Sequence, residues 1–388
     1  MRSDTILLTA TAVALLGIFY YVQLGPVLKA VGFGRVVEQR GNIGCRAEAE
    51  LQACEKIVIH QPTGLLYLAC STPSSRTQWT PALSHLNASG MSRDDHVALY
   101  DPETSKVTRL QLRGYDSSRD LSVHGMDVVP SSSNPNDLFV YLVNHRRPRH
   151  GVDPKVHGAN SSIEIFKTSI GSSILTHIES FDDPVIQTPN DVVGSPTGRS
   201  FWFTNDHGSK IGLLRELEFY LGWPRSSVGF CEIQRGCKYA ATGLPASNGI
   251  ARAANDTFYV GSSGKPQIHV LERRADDTLL VKDVIHTDRL IDNVAVDQSG
   301  ALWAAGKKAM RLPLRTLETF ADPSLRAPSS ALRVTRGDSG RKYRLEKVFE
   351  DDGALATGST SVAHDSQRGR LFLHGLVAPY LTICDSPA

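Results

Sequence analysis

Six stretches of the chain share one order of polar and apolar positions. Each opens on a polar residue or pair, continues as a short alternating apolar run, turns through Pro, Gly, Ser, Asn or Asp, and returns as a second, strongly apolar run. They are EKIVIHQPTGLLYLACS from Glu55, HGMDVVPSSSNPNDLFVYLVNH from His124, NDVVGSPTGRSFWFTNDH from Asn190, NGIARAANDTFYVGSS from Asn248, DNVAVDQSGALWAAG from Asp292 and STSVAHDSQRGRLFLHG from Ser359. Period-two alternation broken by turn residues predicts two strands in each. Between copies there is room for two more strands, as in KPQIHVLERRADDTLLVKDVI after the fourth. Four strands per unit over six units predict an all-β chain, a six-bladed β-propeller. A pair of β-sandwiches would give no reason for the polar residue to recur at the same place. Few helices are expected: one at the amino terminus, and LLRELEFYLG at 213 to 222, where Leu and Phe recur at helical spacing.

The amino terminus departs from this pattern. Residues 5 to 24, TILLTATAVALLGIFYYVQL, carry no charge and are long enough as a helix to cross a bilayer. Tyr20, Tyr21 and Gln23 make a poor cleavage site for a signal peptide, which predicts an uncleaved signal-anchor. Arg2 and Asp4 before the run cancel, while Lys29, Arg35 and Arg40 follow it, so flanking charge does not set the orientation. The organisation expected is an anchor and linker over 1–35 and a propeller over 36–388.

Composition narrows the function. The chain has 388 residues, 41% of them hydrophobic, and a net charge of +2, so it carries no electrostatic footprint for nucleic acid. The densest basic cluster, Arg146, Arg147 and Arg149, reads as a solvated loop. Six cysteines and the sequons at Asn87, Asn160 and Asn255, behind an apolar leader, point to a lumenal or extracellular body with disulfides, anchored or secreted. Cys45 with Cys384, Cys54 with Cys70 across the QPTG turn, and Cys231 with Cys237 are plausible pairs, although six cysteines allow fifteen connectivities.

The polar heads of the six units carry the chemistry. In a propeller the innermost strands line a central channel, so Glu55, His124, Asn190 with Asp191, Asn248, Asp292 with Asn293, and Ser359 would form one ring. Carboxylates and carboxamides pointing at one spot are oxygen ligands, which suit Ca²⁺. Zinc is disfavoured because the ring holds no cysteine and one histidine. Asn and Asp also serve as local turn makers at strand ends, but that reading does not explain their recurrence in four units. No Gly-x-Ser-x-Gly elbow occurs, and GSSGK at 261 to 265 lacks the spacing of a phosphate loop. The TNDHGSK segment, with Asp206 and His207, lies a strand beyond the ring and is expected to be a blade-closing loop.

Taken in order at blade spacing, CEKIVIHQPTG, VHGMD, YLVNH, PNDVV with TNDH, SNGI, IHV, DNVAVD and the late GST make the chain resemble the paraoxonase/arylesterase family from about Cys45 to Cys384. The resemblance implies a calcium-dependent six-bladed propeller that hydrolyses aryl esters or lactones. It implies that Glu55, Asn190, Asn248, Asp292 and Asn293 hold the catalytic calcium, that His124 and His145 work beside it, and that Cys45 and Cys384 close the ring. A second calcium in the family uses an acidic residue directly after the ring glutamate, with Asp191 and the Met126 carbonyl; here that position is Lys56. We expect the Lys56 ammonium to stand near where that ion would be, paired with Asp191. Calcium would polarise the carbonyl while His124 activates a water, with His145 orienting it. Two other readings fit the same residues: a gluconolactonase-like lactonase, and a non-catalytic propeller with a structural calcium. The long loops 75 to 93 and 146 to 162 are expected near the rim.

Overall fold

Each of the six polar-headed runs becomes a hairpin formed by the two innermost strands of a blade. In the computed structural model, which describes residues 2–25, 28, 32, 34–116, 118–149, 151–307, 322–337 and 343–385, strands dominate. The inner strands are Lys56–His60, Val123–Pro130, Pro189–Gly194, Ser247–Arg252, Leu290–Val296 and Ser361–Asp365. Each lies at one edge of a four-stranded antiparallel sheet; in the second blade Gln111–Arg113 joins the outer edge in parallel as a fifth strand. Six such sheets make the six-bladed propeller that the repeat predicts.

The last blade takes its outermost strand from the other end of the chain. Arg46–Glu48 pairs antiparallel with Leu381–Asp385, and Cys45 is disulfide-bonded to Cys384 at that seam, joining residues 339 positions apart. Cross-linking so long a loop restricts the unfolded chain and so favours the closed ring. The other two bridges, Cys54–Cys70 and Cys231–Cys237, are also the pairs that the spacing suggests.

The apolar core lies between blades. Alternate residues of a strand face opposite neighbours, so a second strand such as Ser200–Asn205 sends Phe201 and Phe203 to one interface and Trp202 to the next. Six clusters result, one at each junction, with Phe372 and Leu66 joining the last blade to the first and Trp303 and Leu371 joining the fifth to the sixth. Burial on both faces explains why these second strands read as continuous apolar runs.

Helices are few, as expected. The leader is a helix over Arg2–Phe19 that continues as a π-helical turn over Tyr20–Leu24. Among the described residues no helix is long and apolar enough to cross a membrane, so the crossing expected over 5–24 is not shown by the structure. Most of the linker between 26 and 33, with Lys29, lies outside the described residues. The periodic segment at 213 forms the helix Leu213–Leu221. A short helix, Pro73–Gln78, leads into the first long loop, and Thr72 Oγ1 caps it by accepting from the Ser75 amide at 3.2 Å.

Candidate active site at the mouth of the axial channel

Asn, Asp and Gly are poor strand formers, and the strand register shows why they recur at these points. In the third blade Pro189 pairs with Asn205 and Val192 with Phe203, so Asn190 and Asp191 together oppose Thr204. The same two-against-one count sets His124 and Gly125 against Val143, Asn248 and Gly249 against Gly261, and Asp292 and Asn293 against Ala305. These are β-bulges, which leave a residue out of the ladder and re-aim its side chain. The two glycines serve close approach. A Cβ on Gly125 would stand 2.4 Å from Asp191 Cα, and one on Gly249 would stand 2.5 Å from Asn293 Cα. Bulge therefore packs on bulge in neighbouring blades, which holds the polar side chains around the axis.

One cavity of about 60 Å³ collects them. Glu55, His124, Asn190, Asn248 and Asp292 line it, with Asp206, His207 and Phe219 on one side and Leu83 and Leu376 above. The Glu55 carboxylate accepts from Thr360 Oγ1 at 2.6 Å and from Asn293 Nδ2 at 3.0 Å. Asn248 Nδ2 donates to Ser263 Oγ at 2.9 Å. Asn190 Oδ1 and Asn248 Oδ1 are buried and have no hydrogen-bond partner, an expensive state for an amide oxygen. Asn293 does not line the cavity; its oxygen lies 3.5 Å from Lys56 Nζ. Among the described residues no three of His, Cys, Asp and Glu come together as a metal site. The ring instead supplies two carboxylates and several carboxamides, a donor set for a hard cation.

The two histidines implied by the resemblance occupy different surroundings. Their rings are in edge contact, with centroids 5.0 Å apart. His124 Nε2 lies 3.4 Å from Asn190 Nδ2 and 4.0 Å from Glu55 Oε1. His145 is not in the cavity lining; it lies behind, where Nδ1 meets Ser161 Oγ at 2.9 Å and its carbonyl accepts from Trp79 Nε1 at 2.7 Å. Burial pushes the His145 imidazole down to about 4, so it is neutral near pH 7.

Lys56 points inward beneath the ring. Its ammonium donates to Asp191 Oδ2 at 2.5 Å and to the Val294 carbonyl at 3.4 Å, and both Lys56 and Asp191 are buried. Burial raises the Asp191 carboxyl, and Lys56 pulls it back. The Ile250 amide also donates to Asp191 Oδ2, at 2.9 Å. Met126 is fully buried and packs between the first two blades.

Two expectations change. Ser359 is not in the cavity lining, because its amide donates to Ser329 Oγ in the neighbouring blade; Thr360, one residue on, carries the sixth polar group and bonds Glu55. The TNDH segment is part of the cavity wall and not merely a closing loop. The second strand of a hairpin runs back to the end where the first began, so Asp206 and His207, just beyond the Asn205–Pro189 pair, arrive beside Asn190. Counting residues from the hairpin turn in both directions was the signal that places them there.

A family model described as arylesterase matches residues 81–384. The chain is 26% identical over 302 residues to serum paraoxonase/arylesterase 1 of Rattus norvegicus, covering 74% of this chain and 79% of the relative. It is 27% identical over 256 residues to serum paraoxonase/lactonase 3 of Oryctolagus cuniculus, covering 66% and 67%. Among solved structures, a luciferin-regenerating enzyme superposes with a TM-score of 0.51 at 16% identity, covering 87% of this chain and 94% of that one, a likeness of fold.

Proposed function

The chain belongs to the arylesterase family, and from that premise we propose that it hydrolyses carboxylic esters, aryl esters or lactones, with one calcium ion held at the channel mouth. The observation that carries the reading is the pair of partnerless carboxamide oxygens, Asn190 Oδ1 and Asn248 Oδ1, lining one cavity with the Glu55 and Asp292 carboxylates. Hard oxygen donors without cysteine fit calcium. Those four residues would hold it, and Asn293, bonded to the Glu55 carboxylate, would complete the set. When bound, calcium supplies a Lewis acid for the ester carbonyl and for the charge that develops on it.

The chain's own residues do the rest. His124, in the cavity wall, takes a proton from the attacking water. His145, held neutral by burial, positions the His124 ring instead of carrying charge. The Lys56 ammonium, bonded to Asp191, serves as the chain's own cation below the ring, so one calcium per chain is expected in place of two. Three disulfides support folding in an oxidising compartment, with the apolar leader directing the chain there. Asn87 and Asn255 are exposed and open to glycosylation, whereas Asn160 is half-buried at the start of a strand.

The test uses the full chain made in a secretory host, with phenyl acetate and five- and six-membered lactones as substrates. Calcium-dependent turnover, removed by a chelator and in Asp292→Ala, is the expected result. Absence of turnover by folded, calcium-bound protein would reduce the ring to a structural pin. Metal analysis after dialysis should find one calcium; two tightly held ions would overturn the role given to Lys56.

A further inference from the structure

Two imidazoles from different blades line the same cavity: His124 from the second, His207 from the end of a third-blade strand. His207 is held on several sides. Its Nδ1 meets Asp206 Oδ1 at 2.7 Å, its amide donates to Thr188 Oγ1 at 3.1 Å, and its carbonyl accepts from the same hydroxyl at 2.8 Å. The ring stacks on Phe219 of the helix Leu213–Leu221, with centroids 6.2 Å apart and planes 26° from parallel. Both Asp206 and His207 are buried. Burial alone would raise the Asp206 carboxyl, but the charge and hydrogen bond of His207, with Arg215 and Thr188, outweigh it and hold the group well below the ordinary range. A carboxylate on Nδ1 orients the ring and leaves Nε2 as the nitrogen that can meet a ligand.

We propose that His207 Nε2 protonates the departing oxygen of the ester, with Asp206 as the positioning residue, so that its contribution grows as the leaving oxygen becomes more basic. The proposal rests on the hydrolase reading above and assigns its second proton. His124 removes one proton from water as the hydroxide oxygen bonds to the carbonyl carbon. The bond from that carbon to the leaving oxygen then breaks, its electron pair goes to that oxygen, and the His207 proton joins it. The product acid sheds a proton on ionising; that proton and the one on His124 restore His207 and leave one for solvent. An aryl oxide, whose conjugate acid has a pKa of roughly 10, departs without help, whereas an alkoxide, close to the roughly 15.7 of water, needs the acid.

The test is the dependence of kcat/KM on leaving-group pKa for the calcium-loaded full chain, across acetates of 4-nitrophenol, phenol and aliphatic alcohols and a six-membered lactone. In His207→Gln the loss should grow from a few fold for 4-nitrophenyl acetate to about 100- to 10,000-fold for the alkyl esters and lactone, the range of general acid catalysis. Asp206→Asn should steepen the same plot by less, and it carries the test if circular dichroism shows that the Gln variant does not fold. A loss of equal size for every leaving group would overturn the proposal, because a merely structural role moves all substrates together. Should the wild type hydrolyse none of them, the hydrolase reading falls and this proposal with it; wild-type turnover with parallel plots removes this proposal alone.

Discussion

The axial channel has two ends built from the same six strands, and they differ in chemistry. The end at the strand starts is a cavity of about 60 Å³ lined by carboxylates, carboxamides and imidazoles. The end at the strand finishes is wider, about 360 Å³, and sets apolar walls such as Val58, Val128, Val193 and Ala295 beside the scattered charges of Asp127, Arg252 and Asp297, without carboxamides from the strand starts. Cavity size alone would point away from the ring of polar heads. The difference arises in the backbone: at the starts of four inner strands the ladder is broken by a bulge, while further along the register is regular and ordinary alternation returns. Lys56 and Asp191 stand between the two ends, and Lys56 also borders the wide one.

Substitutions should keep the two ends distinct, and the largest effect is expected at the narrow one. Asp292→Ala should reduce calcium-dependent kcat/KM by at least about 100-fold, on the scale seen when one electrostatic stabiliser is removed, measured with phenyl acetate at saturating calcium. Next comes the partition between them. Lys56→Ala leaves the Asp191 charge buried without its partner and should lower stability by about 3–5 kcal/mol in urea titration. Lys56→Met with Asp191→Asn should recover most of that, since it removes both charges.

A pH titration gives a smaller effect. His374 lies on the strand beside Thr360, accepts from the Gly375 amide on Nδ1 at 2.8 Å, and meets the Leu51 carbonyl with Nε2 at 3.0 Å, which fixes a neutral ring. Burial lowers its imidazole from 6.5 to about 4. The unfolded chain therefore binds a proton that the folded chain refuses, and the stability present above pH 6.5 is lost as pH falls toward 4. Between pH 6.5 and 5 this amounts to about 2 kcal/mol, and His374→Gln should flatten that part of the stability curve. The smallest effect belongs to the wide end: Ala295→Ser, half-buried in its wall, should change stability by less than about 0.5 kcal/mol and leave kcat/KM unaltered.

Much of the site was legible because the features that make it are local. A polar head at the start of each apolar run placed Glu55, His124, Asn190, Asn248 and Asp292 on one ring, and all five line one cavity. The misplacements came from distances that local pattern does not contain. Ser359 and Thr360 are neighbours in sequence, and only the pairing of Ser361 with His374 decides which of them faces Glu55. His145, which the resemblance set beside His124, meets that ring edge-on from behind the cavity wall.

The sequence by itself determined the number of repeats, the strands and turns of each, the three cysteine pairs as candidates, and the residue types at the channel mouth. These follow from periodicity, turn chemistry and hydrogen-bonding capacity, which act within a few residues. Tertiary structure alone decided which polar atoms share a cavity, that Thr360 and not Ser359 meets Glu55, and that Asp206 and His207 return to the ring. Those outcomes depend on bulge register and on the closure of six blades around one axis, where contacts between distant segments are set by packing and not by any local preference.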